Sequence, residues 1–193
     1  MTLASGLGPT VVLVPVKAFA DAKVRLAPAL DAGARAELAR TMAAQVVAAA
    51  APLPVAVVCD DAEVAAWARS LGARVLDEPG RGLNGAVQQA VAQLGAEGVT
   101  QVLVAHADLP LARELAWLTA FDGVTLVPDR HQDGTNVICV PVDAGFRFAY
   151  GPGSFARHLA EAERLPVAHR VVHVAQLAWD VDVPADLLTA APE

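Results

Sequence analysis

Cysteine, aromatic side chains and positive charge are all scarce in this chain. Its two cysteines, Cys59 and Cys139, are too few for a disulfide framework. Both sit in apolar, strand-like runs, so buried free thiols are expected in place of a bridge or a metal site. Basic residues number 14 against 21 acidic ones, a formal net charge of −7, and no basic tract interrupts that balance. Bulk charge therefore disfavours nucleic acid or an anionic membrane surface as a partner. A phosphate-bearing ligand would have to be held by a local cluster or by metal ions. No apolar run is long enough to span a bilayer: residues 42–58 are broken by Gln45, Pro52 and Pro54 and read as helix, turn and strand. Residues 1–10 lack a basic segment followed by an apolar run, which argues against a secretory leader and for the cytoplasm.

What is abundant is small aliphatic side chains. With 55% hydrophobic residues over 193 positions, the chain can bury a sizeable core, and its length fits one compact domain. Short valine-rich runs at 11–16, 55–59 and 101–105 fit strands buried on both faces. Further strands are expected at 74–76, 124–127, 136–141 and 171–174. Helical patterning covers 34–50, with Asp31 as its cap, and 62–71, capped by Asp61 and stopped by Gly72. Helices are also expected at 86–94, 113–119, 154–162 and 184–188. Strands alternating with helices predict an α/β fold, a mostly parallel central sheet with helices on both faces. In such sheets ligands bind beyond the carboxyl ends of the strands, so functional residues should follow strands directly.

Five segments meet that expectation. Lys17, Lys23 and Arg25 follow the first strand and form the most basic short segment, able to offer charge-assisted donors to a polyphosphate. The alternative is a solvated loop. In "PGRGLNG" (79–85), glycines 80, 82 and 85 allow close backbone approach to a ligand, and Asn84 either caps the next helix or contacts the nucleotide. Its spacing matches neither a dinucleotide fingerprint nor a P-loop. Asp108 in "HADLP" follows the strand at 101–105, either as a metal-bound carboxylate or as a helix cap ahead of Pro110. Asp180 and Asp182 in "WDVDVP" fall two apart, so an extended backbone puts both on one face and Val181 and Val183 in the core. Adjacent carboxylates repel, and a hard cation such as magnesium relieves this; the alternative role for Asp182 is to cap the helix at Pro184. In "YGPGSFARHL", Ser154 is the expected cap. Arg157 and His158 in the first turn oppose the helix dipole unless an anion binds there. Thr135 and Asn136, after the turn at Gly134, add short polar groups beside a strand.

Taken together, "VPVK…AKVRL", "GLN", "ADLP", "GTN", "YGPGSF..H" and "WDVDVPADL" cover nearly the whole chain. In that order they resemble the 2-phospho-L-lactate (or phosphoenolpyruvate) guanylyltransferases of coenzyme F-420 biosynthesis. The resemblance implies a single nucleotidyltransferase domain over 1–193, of the glycosyltransferase-A-like type. It implies GTP as donor, magnesium as cofactor and a small phosphorylated carboxylic acid as acceptor, leaving open which acid and whether the chain forms a homo-oligomer. Carried onto this sequence, metal binding falls on Asp108, Asp180 and Asp182, and the acceptor phosphate on Thr135, Gly151 and Ser154. The donor nucleotide falls on Lys17, Lys23, Arg25, Gly82, Leu83 and Asn84, and the catalytic set is Asp108, Asp180, Asp182, Lys17 and Lys23. One departure is Gly85, where the family pattern has alanine. Attack by an already ionised phosphate on another needs charge neutralisation and no general base, so neither His106 nor His158 is given a proton-transfer role. The rival readings are a related nucleotidyl- or glycosyltransferase and a non-catalytic nucleotide-binding module.

Overall fold

In the computed structural model, residues 7–78 and 80–187 are described. Residues 1–6 of the segment read for a leader, Pro79 of the glycine-rich turn and Leu188 lie outside them. Seven strands form one sheet: β1 (Thr10–Pro15), β2 (Val55–Cys59), β3 (Arg74–Asp77), β4 (Gln101–Ala105), β5 (Val124–Pro128), β6 (Thr135–Pro141) and β7 (His169–Val171). Their order across the sheet is β3-β2-β1-β4-β6-β5-β7. β1 pairs in parallel with β2 and β4, and β2 with β3. β6 is antiparallel to both β4 and β5, while β5 and β7 are parallel. The sheet is thus mostly parallel, as expected, with β6 the strand that reverses.

Burial on both faces explains the unbroken apolar runs. Val12 and Val14 face one core with Ala43, Val46, Val64 and Ala68 of helices α1 (Ala32–Ala49) and α2 (Ala62–Ser70). Val11 and Leu13 face the other, with Val87, Val91 and Leu94 of α3 (Gly82–Ala96) and Ala162 of α4 (Ser154–Arg164). The expected caps form: Asp31 accepts from Ala34 N and Asp61 from Val64 N. Both cysteines are buried and free. A short helix α5 (Ala175–Ala178) precedes the last segment. No helix among the described residues is long and apolar enough to cross a membrane.

Several local expectations are corrected. α3 begins at Gly82, so Asn84 lies inside it and caps nothing. Residues 106–115 form turns, and a short 3-10 helix follows only at Ala116–Ala120; Asp108 therefore has no helix to cap. The extended segment expected at 171–174 pairs only as β7 at His169–Val171. Gly153, not Ser154, stands at the N-cap of α4 with φ 69°, a conformation glycine adopts without a Cβ penalty. The β5–β6 connection is organised by Asp129, whose carboxylate accepts from the backbone N–H groups of His131, Asp133 and Gly134. A Cβ at Gly134 would come within 2.7 Å of that carboxylate, so any larger residue would push it off its three N–H donors.

Candidate active site

The carboxyl ends of β1, β2, β3 and β4 open onto one cleft of about 650 Å³. Lys17, Lys23 and Arg25 reach it from the segment after β1, and Gly82 and Leu83 from the first turn of α3. His106 and Asp108 reach it from the turn after β4, and Asp182 from the last segment. Folding has brought together four stretches that lie far apart in the chain. Phe19 and Met42 supply apolar wall. Asp60 and Glu78, after β2 and β3, also line it and carried no motif by which the sequence would have flagged them.

Acid and base are tightly matched where β1 and β4 end. Lys23 takes a left-handed backbone, φ 54° and ψ 37°, unusual for a residue with a Cβ. That turn aims its ammonium inward, 2.6 Å from Asp108 Oδ2 and 3.4 Å from Asp182 Oδ1. Arg25 donates to Asp182 Oδ2 at 2.9 Å. Burial by itself would lower the Lys23 pKa, but the charges of Asp108 and Asp182 outweigh it and hold the pKa above the ordinary lysine value. For Asp108, burial pushes upward, yet the Lys23 ammonium wins and keeps the carboxyl below the usual range.

Asp180 is held differently. Arg130, from the β5–β6 turn, donates to its backbone oxygen at 2.6 Å and to Oδ1 at 3.3 Å, and also contacts Asp186. Burial and the nearby charge of Asp108 raise the Asp180 carboxyl above the ordinary value. Asp186 in turn accepts from the backbone N–H groups of Asp182 and Val183. Asp186, then, is the residue that caps this turn; Asp182 does not. Val181 is buried, but Val183 is 41% exposed, so the strict alternation expected for this segment breaks there. Arg130 and Asp186 were not singled out in the sequence. The signal was weak, since an arginine in a polar turn and an aspartate in a terminal helix look ordinary.

The residues assigned to the acceptor phosphate lie on the other side of β4, and two of them are closed in. Thr135 and Ser154 are 1% and 2% exposed, whereas Gly151 is open. The Thr135 hydroxyl lies 3.0 Å from His158 Nδ1, and the Ala149 N–H donates to His158 Nε2 at 2.8 Å. His158 is therefore neutral with its proton on Nδ1, and burial with the Arg157 and His106 charges pushes its pKa down to about 4. The anion hint at the start of α4 has an internal answer. Asp133 accepts from the Gly153 N–H through its carboxylate and from the Phe155 N–H through its carbonyl. Arg157 folds back onto the carbonyls of Ala149 and Pro152. Asn84 uses both ends of its amide on the Tyr150 backbone, at 2.6 and 3.2 Å, and so ties α3 to this side instead of facing the cleft.

Residues 10–190 match the family model described as "Guanylyl transferase CofC like". The chain belongs to that family. It is 36% identical to the phosphoenolpyruvate guanylyltransferase of Roseiflexus castenholzii over 94% of this chain and 87% of that one. Identity to the protein of the same name from Streptomyces coelicolor is 40%, over 92% and 88%. Among solved structures, a putative nucleotide-diphospho-sugar transferase from Desulfovibrio desulfuricans superposes with TM-score 0.71 at 17% identity, covering 93% of this chain and 84% of that one. A nucleotidyl transferase from Methanothermobacter gives 0.61 at 14%, over 95% of both. These likenesses place the nucleotidyltransferase fold, and the family makes the chain an enzyme of that class.

In this guanylyltransferase, the three aspartates converge on the cleft edge only in part. Among the described residues, no group of three or more histidine, cysteine, aspartate or glutamate side chains stands ready to hold a metal ion. Lys23 and Arg25 pair with Asp108 and Asp182, and Arg130 with Asp180. Yet Asp108 Oδ1 is buried without any hydrogen-bond partner, and Asp108 raises the pKa of Asp180. An unpartnered carboxylate oxygen beside a second carboxylate is a donor set that suits a hard cation.

Proposed function

We propose that this enzyme transfers GMP from GTP to the phosphate of a small phosphorylated carboxylic acid, releasing pyrophosphate. Phosphoenolpyruvate is the favoured acceptor, because the relatives described above carry it in their names; 2-phospho-L-lactate and 3-phospho-D-glycerate are the other candidates. The product would serve coenzyme F-420 biosynthesis in the cytoplasm. The observation that carries this reading is the array Lys23–Asp108–Asp182–Arg25 on one edge of a cleft large enough for a nucleotide.

An oxygen of the acceptor phosphate attacks the α-phosphorus of GTP; a new P–O bond forms while the α–β bridging bond breaks, and pyrophosphate departs with its electron pair. Two anions must meet, so positioning and neutralisation supply the catalysis. Lys17, Lys23 and Arg25 face the triphosphate and the leaving pyrophosphate, with Gly82 and Leu83 at the nucleotide side of the cleft. Asp108 and Asp180, joined by Asp182 once Lys23 and Arg25 turn to phosphate, would hold magnesium. When bound, magnesium would neutralise the phosphate oxygens around the reacting phosphorus. Thr135, Gly151 and Ser154 bound the acceptor side, and Asn84 acts through Tyr150 as a positioning residue.

Pyrophosphate release measured with GTP, magnesium and a panel of the three acids and several sugar phosphates tests this. Release with one or more of the acids is expected. Release only with sugar phosphates would make the chain a different transferase, and GTP binding without turnover would make it a binding module.

A further inference from the structure

Two buried apolar side chains, Phe19 and Leu26, bracket most of the basic segment after β1. Leu26 packs with Met42 of α1 and with Val181, the residue between Asp180 and Asp182. The Val181 N–H donates to the Asp108 carbonyl at 3.4 Å, and Asp186 holds the N–H groups of Asp182 and Val183. The backbone beneath the charged cluster is therefore pinned on the β1 side and on the β4 side alike. What is left to exchange partners is the outer end of the Lys23 and Arg25 side chains. Lysine suits such an exchange, being a compact charge on a flexible stem with three donors that turn freely.

The Lys23 ammonium fills the gap between Asp108 Oδ2 and Asp182 Oδ1, and only 10% of its side chain is exposed. Arg25 takes the other Asp182 oxygen. Magnesium binds carboxylate oxygens at about 2.0–2.1 Å and tolerates little distortion. An ion held by Asp108 Oδ2 and Asp182 Oδ1 together needs the gap that the ammonium occupies, so the two exclude each other. The unpartnered Asp108 Oδ1 offers no way round, because an ion there faces the ammonium across a single carboxyl group and like charges repel strongly where water is scarce. We propose that Lys23 is a latch on the metal site: while it bridges Asp108 and Asp182 the enzyme binds divalent cations weakly, and a triphosphate opens the site by drawing Lys23, and Arg25 with it, onto its own oxygens. This rests on the reading of the cleft as a guanylyl-transfer site. Metal and nucleotide then strengthen each other's binding, since coupling between two sites is reciprocal. The cation is thereby assembled over the nucleotide and not held idle.

Binding of Mn2+ to the protein alone, followed by electron paramagnetic resonance with no phosphate present, tests the latch without any turnover. Lys23→Met keeps the apolar stem, removes the charge and binds Mn2+ about tenfold more tightly than wild type, within the usual range of coupling between sites. Adding Asp108→Asn to that variant cancels the gain. Arg25→Ala, which breaks only an exposed pair and leaves the buried anchors intact, gives a severalfold gain and serves if Lys23→Met does not fold. Lys17→Met is the control for bulk charge: Lys17 lines the same cleft but bridges neither carboxylate, so its loss moves Mn2+ affinity less than twofold. Calorimetry of GTP in the presence of a chelator shows the opposite sign, with Lys23→Met weakening nucleotide binding. Mn2+ affinity unmoved by Lys23→Met and Arg25→Ala overturns the proposal. So does an equal gain from Lys17→Met, or a gain that survives Asp108→Asn, because the ammonium would then not be occupying the metal's place. Metal-free GTP bound equally well by Lys23→Met overturns the triphosphate as the key. A wild-type protein with no affinity for GTP takes away the reading of the cleft and this proposal with it, whereas normal GTP binding with an unmoved Mn2+ affinity takes away this proposal alone.

Discussion

The two sides of the cleft solve the problem of charge in opposite ways. On the β1–β4 side, ions are paired by long side chains: Lys23 and Arg25 on Asp108 and Asp182, with Arg25 72% and Asp182 45% exposed. On the β6–α4 side, neutral groups are locked together, with His158, Thr135 and the Ala149 N–H in a buried chain and Asn84 on the Tyr150 backbone. The exposed Arg25–Asp182 pair can hand its cation to an incoming polyanion at little cost, since such pairs are worth about 1 kcal/mol or less, whereas the Lys23–Asp108 pair is largely buried. The second gives nothing up on binding and so fixes shape. In the proposed function the first side would be the donor site, changing partners during the reaction, and the second the acceptor site, which would not.

The largest effect that would break this contrast belongs to the ionic side. Asp182→Asn should lower kcat by on the order of a hundred- to a thousandfold, a range typical for losing one electrostatic contact to a transition state. Its denaturation midpoint should barely move. Turnover near wild type in steady-state assays would take Asp182 out of the machinery.

The closed side should show itself in acid. The folded state holds His158 at about 4 against an ordinary 6.5. Between those values the unfolded chain binds a proton that the folded chain refuses, so stability is full above pH 6.5 and falls as pH drops toward 4. That loss is about 2–3 kcal/mol. Urea melts at a series of pH values should show it, and His158→Gln should flatten the slope across that window.

Asn84→Ala tests the strut between the two sides. It should cost about 1–2 kcal/mol of stability and raise the acceptor KM more than the GTP KM. A rise confined to GTP would return Asn84 to the nucleotide. Ser154→Ala should have the smallest effect, a severalfold rise in acceptor KM with GTP unaffected, and an unchanged acceptor KM would remove Ser154 from the acceptor side.

Much of the frame was legible because it depends on local pattern. β2 and β4 fall at 55–59 and 101–105 as read, and Asp31 and Asp61 cap the helices they precede. Valine runs and short polar caps act over a few residues, so sequence carries them. The glycine-rich turn was harder. Asn84 reads as a cap or a nucleotide contact until its partner 66 residues away is known. The start of α4 invites an anion, but the anion there is Asp133, 20 residues earlier.

Residue types and their order along the chain determined an α/β sheet, the strand ends that carry chemistry, and the family. Tertiary structure alone decided how the charges are shared: that Lys23 bridges Asp108 and Asp182 while Arg130 takes Asp180 and Asp186, and that Tyr150 and His106 meet with nothing to bond. Coulomb energy and hydrogen bonding depend on separations of a few ångströms between groups as many as 159 residues apart, and no local pattern encodes such distances.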